Sequence, residues 1–277
     1  MKKEEVRKTV REGYAQVAKS GSSCCAPQSS CCCSSSAATD ISKKIGYSDQ
    51  EIESVPDGAN LGLGCGNPVA LASLKKGEVV LDLGSGAGFD CFLAANIVGK
   101  TGKVIGVDMT PEMIEKAREN ARKGGYENVE FRLGEIENLP TADNYVDAII
   151  SNCVINLSPE KDRVFRDAFR VLKPGGRLMV SDIVLMSELP DSIKKSVAAY
   201  VSCVAGAAMK DEYMENIKSA GFREVTIVDE ATFPTDYAVK DPAIQALAND
   251  FGISKADLKK LGGLIKSIKV HALKPGK

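Results

Sequence analysis

Nine cysteines, at 24, 25, 31, 32, 33, 65, 91, 153 and 203, share this chain with a single histidine, His271. Thiolates are soft ligands and nucleophiles, whereas imidazole is the usual proton carrier near neutral pH. The imbalance points to sulfur chemistry rather than imidazole acid–base catalysis. His271 lies in an apolar segment and reads as a structural residue. Five cysteines crowd into Cys24-Cys25 and Cys31-Cys32-Cys33, within a Ser/Cys/Ala/Gly/Pro tract over 20–39 expected to form a flexible linker. There they suit a mobile thiol donor, a metal-binding tract or a segment of no specific role. Cys65 sits in Leu61-Gly62-Leu63-Gly64-Cys65-Gly66-Asn67-Pro68, where glycine lets backbone and ligand approach a thiol closely. A small residue buried in a turn is the alternative there. Cys153 follows an apolar run, and Cys91, among Phe89, Phe92 and Leu93, reads as core packing.

A second chemical signal is the loop after Val79-Val80-Leu81-Asp82-Leu83. Asp82 precedes glycines at 84, 86 and 88, with Ser85 and Ala87 between them, and the helical run Phe89–Val98 follows. A strand, a glycine turn and a helix in that order make a nucleotide-type site at the carboxyl end of a parallel sheet. A dinucleotide site wants G-x-G-x-x-G, with pyrophosphate at the helix N-terminus. The D-x-G-x-G-x-G form here resembles the S-adenosylmethionine site of class I methyltransferases, and a carboxylate beside the loop suits a cationic ligand. Asp108 ends the next strand, placed to accept hydrogen bonds from ribose hydroxyls. Gly134-Glu135-Ile136-Glu137 follows the third strand and can meet an adenine edge. The turn Leu172-Lys173-Pro174-Gly175-Gly176-Arg177-Leu178 also resembles class I methyltransferases.

These loops need a scaffold. Strands are expected at 79–83, 103–108, 129–133, 146–151 and 177–185, alternating with helices at 89–98, from Pro111 to about Gly124, and at 159–172. That alternation predicts an α/β fold, a doubly wound, mostly parallel, Rossmann-like sheet with right-handed crossovers. Before it, Val6, Val10, Tyr14 and Val17 share one face of an amphipathic helix over 3–19, an N-terminal arm or lid. Ser48-x-x-Glu51 is a capping box. Beyond Ser187 the pattern loosens: helices are expected at 193–208, 211–220 and 255–261, and strands at 225–229 and 265–273. These strands either extend the sheet or build a cap. The expected organisation is a helix and Cys-rich linker over 1–40, a donor-binding domain over 41–186 and a C-terminal substrate-binding segment over 187–277.

A length of 277 residues with 44% hydrophobic and 26% charged residues suits one large globular domain, or one domain plus a small appendage. A net charge of −1 argues against nucleic-acid binding, and no apolar run is long enough to span a bilayer. The charged, helical N-terminus differs from a signal peptide, so a cytoplasmic location is expected. Reducing conditions there favour ligand or redox cysteines over a disulfide framework.

Taken together, Gly64-Cys65-Gly66-Asn67-Pro68, Ser151-Asn152-Cys153-Val154-Ile155-Asn156-Leu157 and Tyr200-Val201-Ser202-Cys203 resemble the arsenite S-adenosylmethionine methyltransferase family. The likeness covers roughly 41–223 and the layout of the first 40 residues. It implies that Cys65, Cys153 and Cys203 bind trivalent arsenic as substrate. It further implies that an N-terminal cysteine takes part in transfer and disulfide formation; Cys24, Cys25, Cys31, Cys32 and Cys33 compete for that role, with Cys31, Cys32 or Cys33 preferred and Cys32 taken as the candidate. Donor contacts are implied at Asp82, Gly84, Ser85, Gly86, Asp108, Met109, Ile136, Glu137 and Asn152. The implied reaction turns arsenite or its thiol conjugates into mono- and dimethylated products, with thioredoxin or a small thiol as reductant. Two alternatives stand beside it: a carbon or oxygen methyltransferase acting on a quinone-like molecule, and a non-catalytic thiol protein that sequesters metalloid. Neither nucleic acid nor membrane is an expected partner.

Overall fold

The computed structural model describes residues 3–20, 34–189, 203–204, 206–232 and 263–276. Helices α1 (Lys3–Ser20), α2 (Ser34–Lys44), α3 (Asp49–Glu53) and α4 (Pro68–Leu71) precede the sheet. Strand β1 (Val79–Leu83) leads into α5 (Phe89–Val98), β2 (Lys103–Asp108), α6 (Pro111–Gly124) and β3 (Val129–Leu133). Then follow β4 (Val146–Asn152), a 3₁₀ turn at Ile155–Leu157, α7 (Lys161–Val171), β5 (Leu172–Leu185), α8 (Lys210–Ser219), β6 (Arg223–Thr232) and β7 (Ile265–Leu273). The seven strands form one sheet in the order β3-β2-β1-β4-β5-β7-β6. Strands β1 to β5 run parallel, and β7 is antiparallel to both its neighbours.

Alternation along β1 builds two cores. Leu81 and Leu83 pack on one face with Ile149, Phe165, Val180 and Tyr213; Val80 packs on the other with Phe92, Val98, Val104 and Ile150. A period of two requires this split in a strand covered on both sides. Asp82 shares the Val80 face and reaches Cys91 on α5. Helix α6 buries Met113, Ile114, Ala117 and Asn120, a helical stripe that starts from Pro111 and stops at Gly125 in the left-handed region.

Two expectations need correction and one open choice is resolved. The linker predicted through residue 39 ends earlier, because α2 starts at Ser34. Small residues tolerate a helix, Lys43 and Lys44 favour its last turn, and Ala38 packs at close range on Gly62 while Ser42 Oγ hydrogen-bonds Asn60 at 3.0 Å. Strand β5 begins at Leu172, so the Lys-Pro-Gly-Gly turn lies within it rather than ahead of it. The open choice for the late strands is settled by register: β7 pairs with β5 from Arg177↔Leu273 to Leu185↔Ile265, and the sheet is extended. The capping box at Ser48 and Glu51 is present as read. Cys24, Cys25, Cys31, Cys32, Cys33, the helix expected at 255–261 and most of that at 193–208 lie outside the described residues.

Candidate functional site

Between β1 and β4 the strand order reverses, and this is where an open α/β sheet leaves a crevice beyond its carboxyl ends. Leu83 lies beside Ser151 in register, so the loop after β1 and the segment after β4 emerge together. Gly84 accepts φ +68°, and a Cβ there would stand 2.3 Å from Val154 Cγ2; only glycine allows this approach. The cleft that results has an empty volume of about 1010 Å³. Its lining includes Asp82, Gly84, Ser85, Gly86, Asp108, Met109, Ile136, Glu137, Asn152 and Cys153. Every donor-site residue expected from the sequence is on that wall.

The cleft is acidic inside. Asp108 accepts the Gly86 N–H at 2.9 Å and the Thr110 N–H at 2.8 Å, which shapes the glycine loop. Burial raises its pKa, with those two bonds opposing. Burial and the neighbouring Asp90 push Asp82 well above the usual carboxylate range, against the hydrogen bond from the Cys91 thiol at 3.2 Å. Burial also raises Asp90 to about 6 despite hydrogen bonds from Tyr47 (2.6 Å) and Asn152 (3.1 Å). Among the described residues, no Lys or Arg pairs with these three carboxylates. Burial disfavours the ionised form of all three, and a cation beside them would restore it. Ser85 Oγ is buried with no hydrogen-bond partner, and a Cβ on Gly86 would meet only open space. The residues therefore fit a ligand with a positive centre and an adenosine-like body, and Met109, Ile136 and Val154 supply apolar wall.

Helix α1 closes one side. Val10 and Tyr14 line the cleft, while Val17 and Ala18 pack with Leu61, Ala87 and Met113. Arg7 is 7% exposed and bonds Glu160 at 2.5 Å and Glu137 at 3.4 Å, with Glu135 at 3.6 Å. Glu137 also accepts the Ser158 hydroxyl at 2.6 Å. This carboxylate is thus buried and holds the arm, rather than being a solvated loop charge.

The cysteines sort as follows. Cys65 and Cys153 bring their sulfurs to disulfide distance, with Cα atoms 5.8 Å apart. Cys203 is buried in the same apolar cluster as both, beside Val10, Leu157, Ile183 and Leu185, and its thiol donates to the Cys153 carbonyl at 2.9 Å. Cys153 (φ +57°) and Cys203 (φ +66°) both occupy the left-handed region. Such backbone costs ~1–3 kcal/mol and persists where surroundings demand it. Cys91 is fully buried in α5, as its apolar neighbours implied, and its bond to Asp82 is an addition. His271 pairs across strands with Met179 and Thr226, far along β7 from the cysteines.

Sequence reasoning missed four groups. Arg7 and Tyr47 reach the site only through tertiary packing. Asp90 stands two residues after Gly88 and was legible as a neighbour of the loop. Asp182 is fully buried near the end of β5, with a carboxylate oxygen within 4.8 Å of the Cys65 and Cys153 sulfurs. Its place on a central strand was the available signal.

The doubly wound sheet, the glycine loop and the acidic cleft define an S-adenosylmethionine-dependent class I methyltransferase. A family model described as a methyltransferase domain matches residues 74–221. An arsenite methyltransferase of Halobacterium salinarum is 54% identical over 237 residues, 83% of this chain and 61% of that protein. One from Aquipseudomonas alcaligenes is 42% identical over 174 residues, 60% of this chain and 50% of its own length. Among solved structures, an arsenic(III) S-adenosylmethionine methyltransferase from Chlamydomonas reinhardtii superposes with a TM-score of 0.60 at 30% identity, covering 85% of this chain and 73% of that one. The chain belongs to the arsenite S-adenosylmethionine methyltransferase family. It spans about half to three fifths of the length of the two curated relatives named. No helix among the described residues is long and apolar enough to cross a membrane.

Proposed function

We propose that this protein methylates trivalent arsenic, holding arsenite as substrate on the thiolates of Cys65, Cys153 and Cys203. The observation that carries this reading is that three cysteines distant in sequence share one apolar cluster: Cys65 pairs with Cys153, the Cys203 thiol donates to the Cys153 carbonyl, and Cys153 lines the donor cleft. Arsenic(III) is soft and prefers sulfur to oxygen or nitrogen. Each thiol replaces one arsenite hydroxyl and releases water, so three thiols leave a pyramidal centre with its lone pair on the open side. The apolar surroundings from Val10, Leu157, Ile183 and Leu185 exclude water, which would return hydroxyl to arsenic. Asp82, Gly84, Ser85, Gly86 and Asp108, with Met109, Ile136 and Glu137 around them, would hold S-adenosylmethionine, and Asn152 stands on the same wall. When bound it supplies an electrophilic methyl on a positively charged sulfur, to which the arsenic lone pair is the matching nucleophile. No base at arsenic is needed, which agrees with a single, remote histidine. The contribution of the protein is alignment, bringing reacting atoms to ~3–3.5 Å.

Methylation raises the formal oxidation state of arsenic by two. Closure of two site thiols to a disulfide returns those two electrons, and the pairing of Cys65 with Cys153 supports that step. A thiol reductant, thioredoxin or a small thiol, then reopens the pair. An N-terminal cysteine such as Cys32 would pass arsenic to the site. Residues 41–186 are proposed as the donor-binding unit, with 187–277 supplying Cys203 and the substrate side, and a cytoplasmic location suits the need for reductant.

The decisive experiment is product speciation from purified protein, arsenite, labelled donor and reductant. Mono- and dimethylated arsenicals are expected. Donor turnover only with a quinone-like acceptor would favour a carbon or oxygen methyltransferase, and arsenite binding without any methylated product would favour sequestration.

A further inference from the structure

Asn152 carries more hydrogen bonds than any one role suggested by its position would require. It is the last residue of β4 and lines the donor cleft. Its Oδ1 accepts the Cys65 backbone N–H at 3.0 Å. Its Nδ2 lies 2.8 Å from the Gly66 carbonyl, 2.9 Å from Tyr47 Oη and 3.1 Å from Asp90 Oδ2. An amide nitrogen has only two hydrogens, so those three acceptors already exceed its supply. The amide nitrogen has no hydrogen left to donate to a cleft ligand. Tyr47 Oη in turn donates to Asp90 Oδ1 at 2.6 Å, closing a buried ring of three residues.

The same side chain is wedged against the cysteine loop. A Cβ on Gly64 would stand 2.8–2.9 Å from three atoms of the Asn152 amide, so loop and amide are in direct contact. Through its main chain, Asn152 is bonded to Cys153, whose left-handed backbone begins at that junction. One residue therefore positions two thiols: Cys153 by the peptide bond and Cys65 by hydrogen bonds on both sides of its Cα. On its other side it touches Asp90, a carboxylate of the acidic cleft.

We infer that Asn152 is a positioning residue that couples the donor cleft to the cysteine pair, rather than a direct donor ligand. A cation in the cleft draws on the Asp90 carboxylate and so changes what Asp90 takes from the Asn152 amide. Movement of that amide is transmitted to the Cys65 N–H and the Gly66 carbonyl. Occupied cleft and assembled thiol site then favour one another, and coupling between sites is reciprocal. This inference rests on the arsenite reading for its substrate, though the geometry of the cysteine pair does not.

The test uses reduced full-length protein, wild type and three variants, with arsenite titrated in the absence and presence of saturating S-adenosylhomocysteine. In wild type the nucleoside should tighten arsenite binding by ~5-fold or more. Asn152→Ala should weaken arsenite binding roughly 10-fold, as expected for losing two hydrogen bonds to buried backbone, and should abolish the coupling. Its affinity for S-adenosylhomocysteine should move by less than about 3-fold, under one hydrogen bond's worth. Asn152→Asp keeps the acceptor for Cys65 but faces Asp90 with a second carboxylate, and should lose the coupling too. Tyr47→Phe spares the Cys65 contact; it should retain arsenite affinity while its coupling shrinks.

A second readout needs neither ligand: the rate at which Cys65 and Cys153 close to a disulfide under diamide. It should fall about 10-fold in Asn152→Ala, consistent with a lost positioning bond, and stay near wild type in Tyr47→Phe. A loss confined to nucleoside affinity, or unchanged coupling and oxidation rate in Asn152→Ala, would overturn the inference. If Asn152→Ala does not fold, Asn152→Asp and Tyr47→Phe decide it by the same coupling measurement. Reduced wild type that fails to bind arsenite at all would sink the arsenite reading, and the oxidation rates would then judge Asn152 alone.

Discussion

Replacing Asp182 by Asn should change how stability depends on pH. Asp182 is fully buried; its Oδ1 accepts the Asn156 amide at 2.7 Å and the Ile183 N–H at 2.9 Å, and its Oδ2 accepts the Tyr213 hydroxyl at 3.1 Å. Burial raises its pKa from 3.8 to about 7 in spite of these bonds and of Lys161 nearby. Because the folded value lies above the unfolded one, the group contributes its full stability below pH ~4, where both states hold the proton. As pH rises to about 7, the unfolded chain ionises first and stability is lost; above the folded pKa the loss is complete. At ~1.36 kcal/mol per pH unit the whole change amounts to ~4 kcal/mol. Asn keeps the acceptor for Asn156 and Ile183 and does not titrate, so Asp182→Asn should gain on wild type by up to ~4 kcal/mol between pH 4 and pH 8. Urea unfolding at one-unit pH steps, in reductant and without arsenite, gives the difference directly. The other buried carboxylates cancel in the comparison. Parallel stability curves for the two proteins across that range would refute the reasoning.

Other outcomes follow from the site. Cys153→Ser and Cys203→Ser should each abolish the first methylation, while Cys91→Ser, which alters a core residue bonded to Asp82, should leave arsenite affinity intact by direct titration. Asp108→Ala removes the acceptor for the Gly86 and Thr110 N–H groups; S-adenosylhomocysteine affinity should fall at least ~10-fold, as for a lost charge-assisted pair of bonds, with arsenite binding unchanged by calorimetry. Arg7→Ala strands Glu137 in a buried position, a change of the kind that costs ~3–5 kcal/mol. Hydrogen exchange over 3–20 should then accelerate well over 10-fold at that cost, and equal exchange rates would show that the arm is held by its apolar face alone.

Much of this protein was legible along the chain because short-range rules set it. Alternating strands and helices, the spacing of Asp82 with Gly84, Gly86 and Gly88, the cap at Ser48 and the acidic end of β2 all obey local periodicity and turn chemistry. Those local rules marked the glycine loop and the strand ends whose residues line the cleft. Cys91 was legible as core because its helical neighbours are apolar. What the order of residues left open was every relation that depends on strands meeting sideways. Only the sheet order, with β4 beside β1, places Cys153 next to the glycine loop. Only antiparallel pairing of β7 with β5 shows that the late strands extend the sheet, and Ser267 of β7 donates to the Cys65 carbonyl at 2.9 Å. Arg7 and Tyr47 carry no local signature, since a lone charge or phenol reads the same wherever it stands, and Asp182 offered only its place on a central strand. Their roles come from burial and partners far away in sequence, and burial is a property of the packed chain. Local spacing determined the glycine loop, the acidic strand ends and the loops that carry the cysteines; long-range packing decided which of them meet.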